Sequence, residues 1–177
     1  MVGGLASSAF AADANIGTLD LSPDGYSITK DSITAGPFTD TYSFSLSQVS
    51  ELFGSIDTSF SRKLNLVTSD ILSPTLKLFY SPDSNFGSDS LMGTATIQTY
   101  NAGAGSFEFG VINYSGAAAS AGGFYYFEVT GTAVGAKGGS YDFGATAAPV
   151  PEPTAAAMLL AGFAVMGFIA MRRRRQD

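Results

Sequence analysis

Carboxylates carry most of the chemistry open to this chain. Its 177 residues hold 15 Asp and Glu but no His and no Cys. Without imidazole or thiol, the usual zinc sites, a Ser-His-Asp triad and a Cys-His dyad are excluded within the chain. Two carboxylates suffice for glycoside hydrolysis. Glu108 and Glu128 are the candidates, set among aromatic residues in SFEFGVI and GFYYFEVTG. No spacing brings them together, and outward-facing strand positions explain both more simply. Asp83, Asn85 and Asp89 in SPDSNFGSDS offer oxygen ligands of the kind calcium takes. The spacing does not fit an EF-hand and lacks a bidentate Glu, so a polar hairpin loop accounts for them better. Tyr125, Tyr126 and Phe127 would make a sugar-stacking platform. Strand alternation splits them, Tyr125 and Phe127 against Tyr126, so core packing claims at least part of the set. Asp40 is expected to stitch a turn at the start of a strand, as short acidic side chains do. The glycines from Gly103 to Gly139 contain no GxxxxGK[ST] and are read as turn residues. The chain offers no evident cofactor site.

Two further groups act on membranes rather than on substrates. Val150-Pro151-Glu152-Pro153 is extended by its prolines, which lack an amide hydrogen and keep the preceding residue out of the helical region. The 18 uncharged residues from Thr154 to Met171 follow at once. As a helix they reach about 27 Å, close to the ~30 Å of a bilayer core. Arg172, Arg173, Arg174 and Arg175 come next. Such a cluster stays in the cytoplasm, which puts the preceding domain outside. The other end reads MVGGLASSAFAADAN. Ala9-Phe10-Ala11 carries small residues at the −3 and −1 positions of a signal-peptidase site, predicting cleavage between Ala11 and Ala12. The upstream part lacks a charged region and most of an apolar one, so Met1 is expected to be a misplaced start and residues 1–11 a signal-peptide remnant.

The elements between these ends must position everything else. Only 14% of the residues are charged, and Gly, Ser, Thr and Ala fill the gap. Between Ala12 and Ala148, 13 acidic residues outnumber five basic ones, a net charge of −8. An acidic body of this kind repels nucleic acid, which is excluded as a partner. Six segments alternate with period two: Thr41–Ser47, Lys63–Ser69, Thr75–Ser81, Thr94–Tyr100, Ser106–Ile112 and Gly123–Gly131. They are rich in aromatic and β-branched residues, the signature of strands with one face inward. Their spacing predicts an antiparallel β-sandwich. Gln48–Phe53 is the only helical candidate within it. With no Cys to staple it, the domain must be held by its core.

Three resemblances sit on these residues. VPEP, an apolar helix and an Arg cluster, in that order over Pro149–Asp177, resemble the PEP-CTERM sorting signal of Gram-negative bacteria. The resemblance implies handling by exosortase, an integral membrane enzyme, and an exopolysaccharide or biofilm context. Phe38-Thr39-Asp40-Thr41-Tyr42 is similar to the motif of the FxDxF group of PEP-CTERM proteins, with Tyr42 in place of the second Phe. YSFSL, LNL, LKLFYSPDS and AGGFYYFEVTG together resemble bacterial pre-peptidase C-terminal domains, which implies a jelly-roll-like sandwich.

The expected organisation is therefore all-β. A signal-peptide remnant (1–11) precedes an antiparallel, jelly-roll-like sandwich (12–146) and an extended linker with the sorting motif (147–153). One transmembrane helix (154–171) and a cytoplasmic tail (172–177) complete it. The expected function is that of an exported, non-catalytic surface or matrix protein. It would be anchored in the inner membrane with its domain in the periplasm until exosortase processes it. The secretion machinery is its other implied partner. A carbohydrate- or calcium-binding module and a carboxylate-only glycoside hydrolase are the alternatives.

Overall fold

A computed structural model of the chain describes residues 9–10, 14–63, 66–83, 89–102, 105–117, 123–150, 158–159, 161–164 and 166. Twelve strands follow one another: β1 (Ala9–Phe10), β2 (Ala14–Thr18), β3 (Tyr26–Ile33), β4 (Gly36–Ser45), β5 (Ser50–Thr58), β6 (Ser61–Lys63), β7 (Leu66–Ser81), β8 (Ser90–Thr94), β9 (Thr96–Ala102), β10 (Gly105–Ala117), β11 (Phe124–Val134) and β12 (Gly139–Pro149). A single 3₁₀ turn spans Leu19–Leu21.

The strands form two sheets. In the first, β4, β11 and β7 lie side by side, with β1 and β2 on the outer side of β4 and β6 and β8 along β7. The second runs β3-β12-β5-β10-β9. Pairs are nested along the chain: β3 with β12, β4 with β11, β5 with β10, β7 with β8. That is the order of a long hairpin rolled into two layers, a jelly roll. All of these pairs are antiparallel; β1 and β2 add to β4 in parallel.

Alternation builds the core. On β4, Phe38, Asp40, Tyr42 and Phe44 are buried while Pro37 and Thr39 are exposed. On β11 the inward set is Tyr125, Phe127 and Val129; on β12 it is Tyr141, Phe143 and Ala145. Rings meet across the two layers: Tyr42 stacks on Phe143 at 4.2 Å, and Phe127 meets Phe143 edge-on at 5.6 Å. Each such ring contributes about 1.5–3 kcal/mol by leaving water.

Three expectations change here. The segment Gln48–Phe53 is not helical; Ser50 onward is β5, a central strand, with Ser50, Leu52, Gly54, Ile56 and Thr58 all facing the core. Period two over nine residues outweighs the local helical tendency of Gln, Glu and Leu. The two expected strands Lys63–Ser69 and Thr75–Ser81 are joined in β7, apart from residues 63–65. Pro74 does not end the strand because it sits in a bulge, where Gly131 of β11 faces Ser73 and Pro74 together. Ser73 takes a left-handed φ of 51° there. A missing amide hydrogen is tolerated at such a bulge. Finally, β12 runs to Pro149, and the Val150 amide donates to the Val49 carbonyl at 3.0 Å. Ordered chain thus continues past residue 146, where the domain was expected to end.

Candidate functional sites

The inward residues of β4 and β12 form a polar contact between aromatic rings of the core. Tyr141 donates its hydroxyl to the Asp40 carboxylate, and the Tyr42 hydroxyl lies 2.7 Å from that of Tyr141. With the Tyr141 proton committed to Asp40, Tyr42 donates to Tyr141. Phe38 stacks on the Tyr141 ring at 5.8 Å. Phe38, Asp40 and Tyr42 therefore clasp the two sheets together. Asp40 is not at a turn: it is 3% exposed in the middle of a strand. Burial, then the bond to Asp40, pushes the Tyr141 hydroxyl far above its usual pKa, and burial does the same for Tyr42. Both phenols stay neutral, which suits packing rather than proton transfer near neutral pH.

The two carboxylates weighed for glycoside hydrolysis, Glu108 and Glu128, lie on different faces. Glu128 points outward from the first sheet, 3.5 Å from Lys77. Glu108 does not point outward. It shares the inward side of β10 with Gly110 and Ile112 and accepts from the Thr58 hydroxyl at 2.5 Å. Gly110 takes the core side of β10, where a Cβ would lie 2.4 Å from Ile97 Cδ1 and 3.3 Å from Ala95 Cβ and Ile56 Cγ2. Tyr125 and Phe127 are core residues, and Tyr126, on the other face, is covered by Phe79 at 4.9 Å. They make no open platform. Asp83 is exposed, Asp89 accepts from Tyr126 at 2.6 Å, and Asn85 lies outside the described residues. No cluster of three acidic side chains suited to a metal occurs among the described residues.

Inversion of β10 exposes an apolar strip that alternation alone had assigned to the core. Phe107, Phe109 and Val111 face outward at 38%, 37% and 44% exposure, and Tyr100 of β9 joins them at 45%. Tyr100 and Phe107 stack on each other, 5.2 Å apart with their planes 16° from parallel. Next to this strip, Asp57 of β5 stands opposite Asp142 of β12, and Thr29 donates to Asp142. Partial burial and then the charge of Asp142 raise the Asp57 pKa. A hollow of about 410 Å³ is bounded by Thr29, Asp31, Asp57, Phe107 and Asp142. A second, of about 270 Å³, lies by Phe53, Ser55, Val111 and Gly144. The readable signal for this face was SFEFGVI itself, whose Glu and Gly occupy one side of the strand.

At the far end of β12 the chain leaves the sandwich. Asp20 holds the adjoining β4–β5 loop by accepting from the Ser47 amide at 3.0 Å, the Ser47 hydroxyl at 2.6 Å and the Gln48 amide at 3.1 Å. Val150 is the one residue of its tetrapeptide that is described; Pro151, Glu152, Pro153 and Arg172 to Arg175 lie outside the described residues. Met158, Leu159, Ala161 to Ala164 and Met166 are helical and exposed. Among the described residues, no helix is long and apolar enough to cross a membrane.

Residues 149–175 match the PEP-CTERM protein-sorting motif. The PEP-CTERM signal thus begins on the last residue of β12. It marks an exported protein that exosortase processes. Among solved structures, the chain is similar to the pre-peptidase C-terminal domain of a collagenase from Bacillus anthracis. Identity is 14%, with 77% of this chain and 96% of that one covered and a TM-score of 0.41. It is also similar to PliG of Aeromonas hydrophila, a periplasmic inhibitor of g-type lysozyme. Here identity is 16%, coverage 77% and 99%, and the TM-score 0.38. Comparison with the curated proteins finds no match.

Proposed function

We propose that this chain is a non-catalytic β-sandwich, carried across the inner membrane and displayed on the cell surface or in the extracellular matrix. Residues 154–171 hold it in the inner membrane with the sandwich in the periplasm, and exosortase then acts near Pro151–Pro153. The PEP-CTERM match over residues 149–175 carries the reading. The physics of the tail supports it. Prolines leave the backbone of the motif free of helical hydrogen bonds, and Arg172 to Arg175 oppose passage through the bilayer and set the depth of the helix. Glu152 is the one charge at the junction and the natural specificity contact. Cleavage after Ala11 removes β1, while β2 still covers β4, so the sandwich survives the loss of the leader. The separate faces of Glu108 and Glu128 favour a non-catalytic role over glycoside hydrolysis. The aromatic clasp of Phe38, Asp40 and Tyr42 is consistent with the FxDxF group.

Intact mass spectrometry of the surface fraction tests the reading in cells that hold the cognate exosortase. The mature chain is expected to lack residues 154–177. Glu152→Ala is expected to leave insertion intact and block processing, so that the longer form accumulates in the inner membrane. A surface chain that keeps residues 154–177 beside an active exosortase makes the tail a plain anchor and sinks the proposal.

A further inference from the structure

We propose that the outer face of the second sheet binds a glycan that carries free amino groups. The inference goes beyond the sorting reading and does not rest on it, since every residue it uses lies between 29 and 144.

Two features of this face are unfavourable unless something covers them. The first is the apolar strip Tyr100, Phe107, Phe109 and Val111, turned to solvent on neighbouring strands. Their exposed area is continuous because Phe107 pairs with Tyr100 and Val111 with Thr96 in one ladder. The second is the pair Asp57 and Asp142, directly opposite each other on β5 and β12. Like charges in that register destabilise a sheet. Among the described residues neither carboxylate has an ion-pair partner.

One chemistry answers both. A pyranose ring presents C–H groups on its face, which lie flat on an aromatic ring as other apolar groups do. Tyr100 and Phe107 stack on each other at 5.2 Å and keep 45% and 38% of their surface open to such a group. Hydroxyl groups at the sugar rim meet Gln98, which already accepts from Tyr100 at 2.5 Å, and those of a further unit across the sheet meet Thr29, which already donates to Asp142. An ammonium substituent reaches the two carboxylates, which have no ion-pair partner among the described residues. Asp57 and Phe109 stand opposite each other on β5 and β10, so charge and ring are one strand apart, about 4.8 Å. The shallow floor past Ser55 and Gly144 lets a chain continue from one hollow to the other. From Asp57 to Phe53 is four residues along β5, about 13 Å.

The other occupants fit less well. An anionic glycan meets a body of net charge −8 and two facing carboxylates. A second copy of the chain needs about 20–30 residues a side for a stable interface, and the apolar strip has four.

Titration calorimetry on the full chain in a neutral detergent tests the inference with three probes: a glucosamine hexamer, its fully N-acetylated form and a uronic-acid hexamer. The glucosamine hexamer is expected to bind at least about tenfold tighter than the acetylated one, and the uronate not at all. Asp57→Asn with Asp142→Asn is expected to bring that ratio to about one while the circular dichroism stays unchanged. Phe109→Ala is expected to weaken both amino-sugar probes by about tenfold. No binding, equal binding of all three probes, or a preference that survives the Asn pair overturns the inference. So does sedimentation that shows a dimer in the parent chain and a monomer in Phe109→Ala, since the face is then a contact between copies.

Discussion

Asp40 shows how one buried carboxylate is made tolerable. It sits between rings, and the Tyr141 hydroxyl is what satisfies it. A buried acceptor that loses its donor keeps the cost of desolvation without the bond. Tyr141→Phe is therefore expected to destabilise the fold by about 1–3 kcal/mol, read as a lower melting temperature by near-ultraviolet circular dichroism. Replacing Asp40 by Val in the same chain is expected to cost less than the two single changes added together, because the orphaned group is gone. The phenol adds a pH dependence with a definite sign. Its pKa is raised in the folded state above the ~10 of the unfolded chain. Its contribution is full below about pH 10 and falls as the pH rises above that, where only the unfolded state ionises. Tyr141→Phe is expected to make the alkaline fall in stability shallower, and an unchanged slope would show that other groups dominate it.

Strands rather than side chains decide where the layers touch. Among the central strands, β5 lies between β12 and β10, and its inward Gly54 brings the backbone close to the Phe127 ring of the opposite sheet. A Cβ at Gly54 would lie 2.4 Å from Phe127 Cε1, and that ring is itself locked between Phe44 and Phe143. Gly54→Ala is expected to destabilise the sandwich by about 1–3 kcal/mol through overpacking. Gly93 of β8 is the control, since its nearest neighbour would be Ile112 Cγ2 at 3.5 Å, an ordinary contact. Gly93→Ala is expected to shift stability by less than about 0.5 kcal/mol. Equal melting temperatures for the two variants would show that the layers give way more easily than this packing implies.

At the scale of the whole molecule, the sandwich and the tail meet with almost no slack. The Val150 amide is bonded into the sheet edge at Val49, and the sorting tetrapeptide begins at that same residue. An enzyme working on Pro151–Pro153 therefore works against the end of β12. The orientation in the proposal has its own test. A reporter active only in the periplasm is expected to be active when fused after Val150 and silent when fused after Asp177, with Arg172 to Arg175 holding the end inside. The reverse pattern rejects the orientation.

The amino-acid sequence by itself determined the class of the fold and the nature of the tail. Alternation in segments such as TYSFSLS and GFYYFEVTG is a local signal, because period two places neighbours on opposite faces whatever they pair with. The sorting motif is local too: its order of prolines, apolar run and arginines is legible without any tertiary contact. Alternation says which residues share a face but not which face is inside. That choice fell to tertiary packing at β10, where Gly110 took the core side and left Phe107 and Phe109 to solvent. Strands β3, β5 and β12 set charged and small residues between their apolar ones, and pairing with neighbouring strands defines them. Asp40 carries a turn signal in the sequence for the same reason. Its partner Tyr141 lies 101 residues away, and no local pattern announces a bond that only the closing of the two sheets creates.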